Sequence, residues 1–178
     1  MSNWNKVFKP IVVLGVICVV ITGALAATNS VTDPIIKEAI IRVQNEARNE
    51  LLPEADGAFS PVEGVSVKNV SDVYAADNGT GYVITSTAKG YGGTMTVMIA
   101  FNSDGTIKQL KVTEAQETQG IGSNVSTKAD YWAKYAGLDG TKELVLNQDV
   151  DAYIGATISS RALNSAVNSA IAAYNAIP

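Results

Sequence analysis

The chain of 178 residues contains no histidine and a single cysteine, Cys18. Without histidine, it cannot form a histidine-ligated metal site, use a histidine base or assemble a Ser-His-Asp triad. One cysteine cannot form an intrachain disulfide or hold zinc or an iron–sulfur cluster by itself. We therefore expect no metal site, and any redox chemistry must use a bound organic cofactor.

Basic residues are scarce beyond the N-terminus. Of the 13 lysines and arginines, Lys6 and Lys9 precede an apolar run, and the other 11 share the rest of the chain with all 17 acidic residues. A net charge of −6 on that remainder argues against a nucleic-acid partner, because the phosphates would not be neutralised. It also argues against a domain that lies flat on an anionic membrane surface.

Residues 11–28 form an uncharged apolar run. As a helix this run would span about 27 Å, close to the hydrocarbon thickness of about 30 Å. Lys6 and Lys9 precede it and the next positive residue is Lys37, so the positive-inside rule predicts a cytoplasmic N-terminus and an extracytoplasmic remainder. The alternative is a cleaved signal peptide, because Ala24-Leu25-Ala26 resembles a cleavage site. The length of the run favours a retained transmembrane helix.

The patterns beyond this run predict an α+β domain, with an antiparallel sheet packed with helices. Asp33-Pro34 predicts the start of a linker helix that ends near Leu52-Pro53. Between Val62 and Glu114, runs rich in β-branched residues predict strands, with Asn78-Gly79 and Ser103-Asp104-Gly105 as hairpin turns. The predicted organisation is a cytoplasmic segment (1–10), a transmembrane helix (11–28), a linker helix (29–52) and one domain (53–178).

Individual elements are also predicted. Strand patterns include alternating Val65 and Val67, residues 82–84, residues 94–101 and a short segment at 144–146. A short helix carries the aromatic residues between Tyr131 and Tyr135. Residues 158–177 have helical periodicity, with one apolar stripe that we expect to pack on the sheet: Ile158, Ala162, Leu163, Ala166, Val167, Ala170, Ile171 and Tyr174.

Residues 151–161 (DAYIGATISSR) are a small-residue turn that opens onto a helix N-terminus. Free amides and the positive end of the helix dipole meet there, which suits a phosphate. The contributions we expect are space at Gly155 and Ala156, hydroxyls from Thr157, Ser159 and Ser160, and a positive charge from Arg161. The alternative is an ordinary Ser/Thr-rich helix cap. A nucleophilic enzyme is excluded, because no histidine is present to activate a hydroxyl.

The same segment resembles the flavinylation signature Asp-x-x-Ser/Thr-Gly-Ala-Thr-x-Ser/Thr. That signature belongs to FMN-binding domains of the G subunit of the Rnf complex and of the C subunit of the sodium-pumping NADH:quinone reductase. The matching positions are Asp151, Gly155, Ala156, Thr157 and Ser159, whereas Ile154 stands in the Ser/Thr place. In this family a flavin transferase joins the FMN phosphate to the threonine hydroxyl. The resemblance therefore implies covalent FMN on Thr157.

Two further segments resemble the family. Residues 114–122 are similar to its Glu-Thr-Pro-Gly-Leu/Ile-Gly loop beside the flavin ring, with Gln119 in the place of proline. Residues 89–93 are similar to its glycine turn. The resemblance implies that the ring pocket is shaped by Glu117, Thr118, Gly120 and Gly122, that phosphate bonds and clearance come from Gly155, Ala156, Ser159 and Ser160, and that the transferase recognises Asp151.

The short chain favours the Rnf-type G subunit. The resemblance implies an electron-relay subunit of an oxidoreductase that couples ferredoxin–NAD electron transfer to Na⁺ or H⁺ translocation. Its partners would be the other membrane subunits and the flavin transferase, and no catalytic acid–base residue is expected. The alternatives are the homologous FMN protein of the sodium pump and an anchored extracytoplasmic binding module without redox activity.

Overall fold

A computed structural model describes residues 8–120 and 122–178. The chain divides into two compact units, one ending at Gln44 and the other running from Asn45 to Pro178. Helix α1 extends from Lys9 to Leu51, so its last residues belong to the second unit.

Helix α1 is long and apolar enough to cross a membrane, by length and composition. Its side chains between Lys9 and Thr32 are exposed to the surroundings. The predicted separate helix start at Asp33 is wrong, because α1 continues through Pro34. A proline within a helix removes one backbone hydrogen bond, and the flanking turns can keep the helical geometry.

The second unit contains a five-stranded antiparallel sheet with the strand order β1-β2-β3-β4-β5. The strands are β1 (Phe59–Pro61), β2 (Val70–Ala76), β3 (Gly81–Lys89), β4 (Thr94–Asn102) and β5 (Ile107–Ala115). The predicted fold class is confirmed. Both predicted hairpin turns are present, and their glycines, Gly79 and Gly105, have φ angles of +74° and +85°.

The central strands are buried on both faces. On one face Ile84 and Ile99 belong to a core that includes Leu163 of the C-terminal helix. On the other face Val83 and Met98 pack with the end of α1. Burial on two faces accounts for the nearly continuous apolar sequence of β4, since neither set of alternating side chains meets water.

Among the residues that the structure describes, three α-helices follow the sheet: α2 (Ser123–Thr127), α3 (Ala129–Trp132) and α4 (Thr157–Tyr174). A single 3₁₀ turn, Ala133–Tyr135, extends α3 and completes the predicted aromatic helix. Helix α4 confirms the predicted C-terminal helix, although it ends at Tyr174. The predicted stripe is buried from Ala162 to Ile171, whereas Ile158 at the first turn is 52% exposed.

Two strand predictions are wrong. Val65 and Val67 lie in no strand, and they alternate because their half-buried side chains pack on the core from an irregular segment. Leu144 also lies outside a strand; its backbone is instead bonded by the side-chain amides of Asn164 and Asn168. Leu146 forms an isolated bridge with Val150, and Leu144, Val65 and Val67 pack on the core instead of pairing in a ladder.

Candidate functional site

The signature turn leads directly into α4, and Ala156 is the residue that precedes the first helical turn. Within the described residues no side chain caps this end. The first backbone bond of the helix joins the Ser160 amide to the Ala156 carbonyl at 2.9 Å. The amides of residues 157–159 therefore lie ahead of the helical ladder, where they can meet an acceptor from outside the helix.

Ser160 holds this turn closed. Its buried hydroxyl accepts a hydrogen bond from the Tyr153 amide at 2.9 Å and donates to the Ala156 carbonyl at 3.0 Å. Gly155 has a φ of +82°, which reverses the chain between these two bonds. The structure thus gives Ser160 a position inside the turn.

A cavity of about 530 Å³ opens in front of the turn. Its volume lies within the range of small-molecule sites, about 300–1,000 Å³. Three chain segments line it, contributing Tyr91, Thr118, Gly122, and then Gly155, Ala156, Thr157, Ile158 and Ser159. The segment at Tyr91 and the segment from Thr118 to Gly122 are distant in sequence from the signature. They nevertheless lie beside it at one concave surface.

One carboxylate links these segments. Glu117 Oε1 accepts a hydrogen bond from the Tyr91 amide at 3.0 Å, and Glu117 Oε2 accepts one from the Ser159 hydroxyl at 2.8 Å. Glu117 does not itself line the cavity, but both of its partners do. Its side chain therefore lies behind the residues that line the cavity.

The loop containing Glu117 has its own internal bonds. The Ser123 amide donates to the Thr118 carbonyl at 3.1 Å, and the Gly120 amide donates to the Ser123 hydroxyl at 2.9 Å. Gly120 has a φ of +83°, so it turns the loop without lining the cavity. Thr118 and Gly122 do line it, whereas Ile121 lies outside the described residues.

Two charged residues of the 151–161 segment lie away from this cavity. Asp151 is exposed and is not part of the lining. Arg161 lines a different cavity of about 570 Å³, together with Asn164 and Asn168. The side-chain amides of both asparagines are already bonded to the Leu144 backbone. The smaller cavity is the better candidate site, because it adjoins free helix amides.

Sequence reasoning did not select two residues of the lining. Tyr91 is 69% exposed and Ile158 is 52% exposed, and both line the cavity together with Thr157. The sequence feature that could have identified Tyr91 is the pair of glycines on either side of it, Gly90 and Gly92. Glycine is typical of positions where two backbone segments approach each other closely. Gly92 has no room for a Cβ, because the Gln116 carbonyl occupies that position.

The model of the FMN-binding domain family matches residues 90–172. That range contains every residue of the 530 Å³ cavity lining. The chain thus has an FMN-binding domain, and the residues around the cavity are part of it.

Curated relatives resemble nearly the whole chain. It is 31% identical to the G subunit of the Na(+)-translocating ferredoxin:NAD(+) oxidoreductase complex of Acetobacterium woodii, over 97% of this chain and 93% of the relative. It is 32% identical to the G subunit of the ion-translocating oxidoreductase complex of Methanosarcina acetivorans, over 96% of both chains. A proton-translocating counterpart from Clostridium ljungdahlii is 29% identical over 96% of this chain and 92% of that protein. The resemblance read from the sequence is confirmed: the chain belongs to the G-subunit family of ion-translocating oxidoreductase complexes.

Proposed function

We propose that this protein is the electron-relay subunit of a membrane-bound, Rnf-type ferredoxin:NAD oxidoreductase that translocates Na⁺ or H⁺. It carries one FMN, joined through its phosphate to the Thr157 hydroxyl. The observation that carries this proposal is the position of Thr157 at the mouth of α4, on the lining of a ligand-sized cavity within an FMN-binding domain.

The donor set fits a flavin phosphate. Amides at residues 157–159 and the positive end of the α4 dipole provide hydrogen bonds and partial charge for the anionic group. Thr157 is exposed, so a flavin transferase can reach its hydroxyl. Gly155 leaves that approach open, since nothing lies within 4 Å of a Cβ built there.

The lining also fits a flat aromatic ring. Tyr91 and Ile158 provide apolar surface, and Thr118 provides a hydroxyl that can orient a ligand. When bound, FMN supplies the electron-carrying chemistry. The residues of the protein bind the phosphate, orient the ring and exclude water from one side of it. Covalent attachment also prevents loss of the cofactor by diffusion on the extracytoplasmic side.

The proposed orientation places the N-terminus in the cytoplasm and the FMN-binding domain outside. Its support is the distribution of Lys6, Lys9 and Lys37 around the apolar run. A single reporter cysteine at the exposed Ser165, in a Cys18→Ser background, tests it. A membrane-impermeant maleimide added to whole cells or spheroplasts should label this cysteine. Labelling only after lysis would reverse the orientation.

Thr157→Ala tests the attachment. Trypsin cleaves after Lys142 and Arg161, so one peptide, residues 143–161, contains Thr157 together with Ser159 and Ser160. In the protein made with its flavin transferase, we expect the mass of one FMN on that peptide, and fragmentation should assign it to residue 157. The variant should fold but give no fluorescent band in a denaturing gel.

Ser165→Ala is the matched control, because it removes an exposed hydroxyl from the same helix. It should keep the fluorescent band. A fluorescent band in Thr157→Ala, or an unmodified wild-type peptide from cells with an active transferase, would defeat the assignment. Co-purification of the wild type with the other oxidoreductase subunits tests the assembly, and capture of sodium-pump subunits instead would assign the protein to that complex.

A further inference from the structure

A single side chain joins the three segments that line the candidate FMN cavity. Glu117 belongs to the loop that supplies Thr118 and Gly122, and its two oxygens accept hydrogen bonds from the other two segments. Oε1 bonds to the Tyr91 amide at 3.0 Å, and Oε2 bonds to the Ser159 hydroxyl at 2.8 Å. These partners lie 26 and 42 residues away along the chain.

The surrounding glycines make room for this carboxylate. A Cβ built on Gly90 would overlap Glu117 Oε1, and a Cβ built on Gly122 would overlap Glu117 Oε2. Gly122 would also place a Cβ 2.8 Å from the Ser159 hydroxyl. Neither glycine needs a positive φ, so space for Glu117 is the structural requirement at both positions.

We infer that Glu117 is the positioning residue of the FMN site. Its carboxylate fixes the Tyr91 segment and the start of α4 against its own loop, and so sets the walls between which the flavin ring lies. This inference rests on the proposed function, and it assigns Glu117 a role separate from attachment. A phosphoester at Thr157 fixes only one end of the cofactor, because single bonds connect the phosphate to the ring.

The order of the flavin ring within the cavity and the attachment of FMN to Thr157 should therefore respond to different substitutions. Loss of a hydrogen bond to a charged group changes an equilibrium by about tenfold or more. In Glu117→Ala we expect the FMN to remain on Thr157 while the ratio of ordered to mobile ring falls by about that factor. Fluorescence anisotropy and visible circular dichroism of the flavin report ring order, and in-gel fluorescence reports attachment.

Glu117→Gln provides the conservative rescue. The glutamine oxygen can accept from the Tyr91 amide while its NH₂ group donates to the Ser159 oxygen, so most of the ring order should return. Glu63→Gln is the matched control, since it changes an exposed glutamate that does not line the cavity and should leave both signals unchanged. Glu117→Asp adds a milder change, because the shorter side chain cannot reach both partners. Its ring order should lie between wild type and Glu117→Ala.

Unchanged anisotropy and circular dichroism in both Glu117→Ala and Glu117→Asp would overturn the inference. Equal loss of ring order in Glu117→Gln and Glu117→Ala would overturn it as well, because the bonding geometry would then not be the cause. If Glu117→Ala does not fold, the flavin signals of Glu117→Asp and Glu117→Gln are compared instead. Equal ring order in these two variants would then overturn the inference. Wild-type protein without covalent flavin would instead be a failure of the proposed function.

Discussion

The guanidinium of Arg48, near the end of α1, lies 3.8 Å from the centre of the Tyr74 ring on β2. Arg48 is buried, donates to Asn45 Oδ1 at 2.6 Å and lies 3.6 Å from Asp72 Oδ1. The Thr85 hydroxyl donates to that same oxygen at 2.8 Å. A buried cation thus joins the last turns of α1 to β2, and Asp72 extends this link to Thr85 of β3.

Arg48→Ala should destabilise the FMN-binding domain by about 2 kcal/mol, through the loss of the cation–π contact, the ion pair and side-chain packing. Asp72 is partly exposed, so water can hydrate its carboxylate when Arg48 is removed, and the loss of stability stays moderate. Urea unfolding in detergent, followed by far-UV circular dichroism, measures the change. Arg42→Ala, at an exposed position of the same helix, should have almost no effect. Equal stability of the two variants would contradict this account.

Asp139 gives a pH-dependent contribution to stability. Hydrogen bonds from Lys142, and then from Thr141, hold the pKa of the Asp139 carboxyl below its ordinary range. The folded state therefore binds this proton less readily than the unfolded state, and the contribution is complete above the ordinary carboxyl pKa of about 3.9. It is lost as the pH falls through the lowered folded pKa.

Asp139→Asn should therefore reduce stability at pH 7 and have a smaller effect at pH 3. The loss should be modest, because the carboxyl is exposed and solvent screens the pair. Paired urea unfolding curves at the two pH values measure it, with Asp130→Asn as an exposed acidic control. An equal loss at both pH values would show that the ionised carboxylate is not responsible.

Gly155 connects backbone strain to the position of Thr157. Its φ of +82° is costly for an L-residue with a side chain, whereas a Cβ there would contact nothing within 4 Å. Gly155→Ala should therefore cost about 1 kcal/mol of stability from conformation alone, and it should lower the yield of attached flavin by turning the Thr157 hydroxyl. Thermal unfolding and in-gel fluorescence measure the two effects. Gly137→Ala, also at positive φ in open space, should lower stability but leave attachment unchanged.

The sequence predicted the hairpins and α4 correctly, because glycine turns and periodic burial are local signals. It failed where packing between distant segments decides the structure. Val65 and Val67 alternate without a strand, since their burial comes from the core beneath them. Pro34 lies inside a helix although its sequence fits a helix start equally well. The signature predicted Thr157 as the attachment residue, but it carries no signal for Tyr91, whose amide donates to Glu117 across 26 residues.

Ile154 and Ile158 provide a comparison between two exposed isoleucines on either side of Thr157. Ile154 is 96% exposed and lies outside the cavity lining, whereas Ile158 is 52% exposed and forms part of it. Ile154→Thr places the usual hydroxyl of the signature there, and it should change stability by less than about 0.5 kcal/mol because little packing is lost. Its flavin spectrum and attachment should match wild type.

Ile158→Thr should behave differently, although threonine and isoleucine have similar helix propensities. It removes apolar surface from the lining of the proposed flavin cavity, so the ring should become more accessible to water. The visible absorption bands should lose vibrational structure, and iodide should quench the flavin fluorescence more strongly than in wild type. Attachment should persist, because the Thr157 hydroxyl and the helix amides are unchanged. If iodide quenches both variants equally, Ile158 does not contact the ring, and the flavin must lie against another part of the cavity.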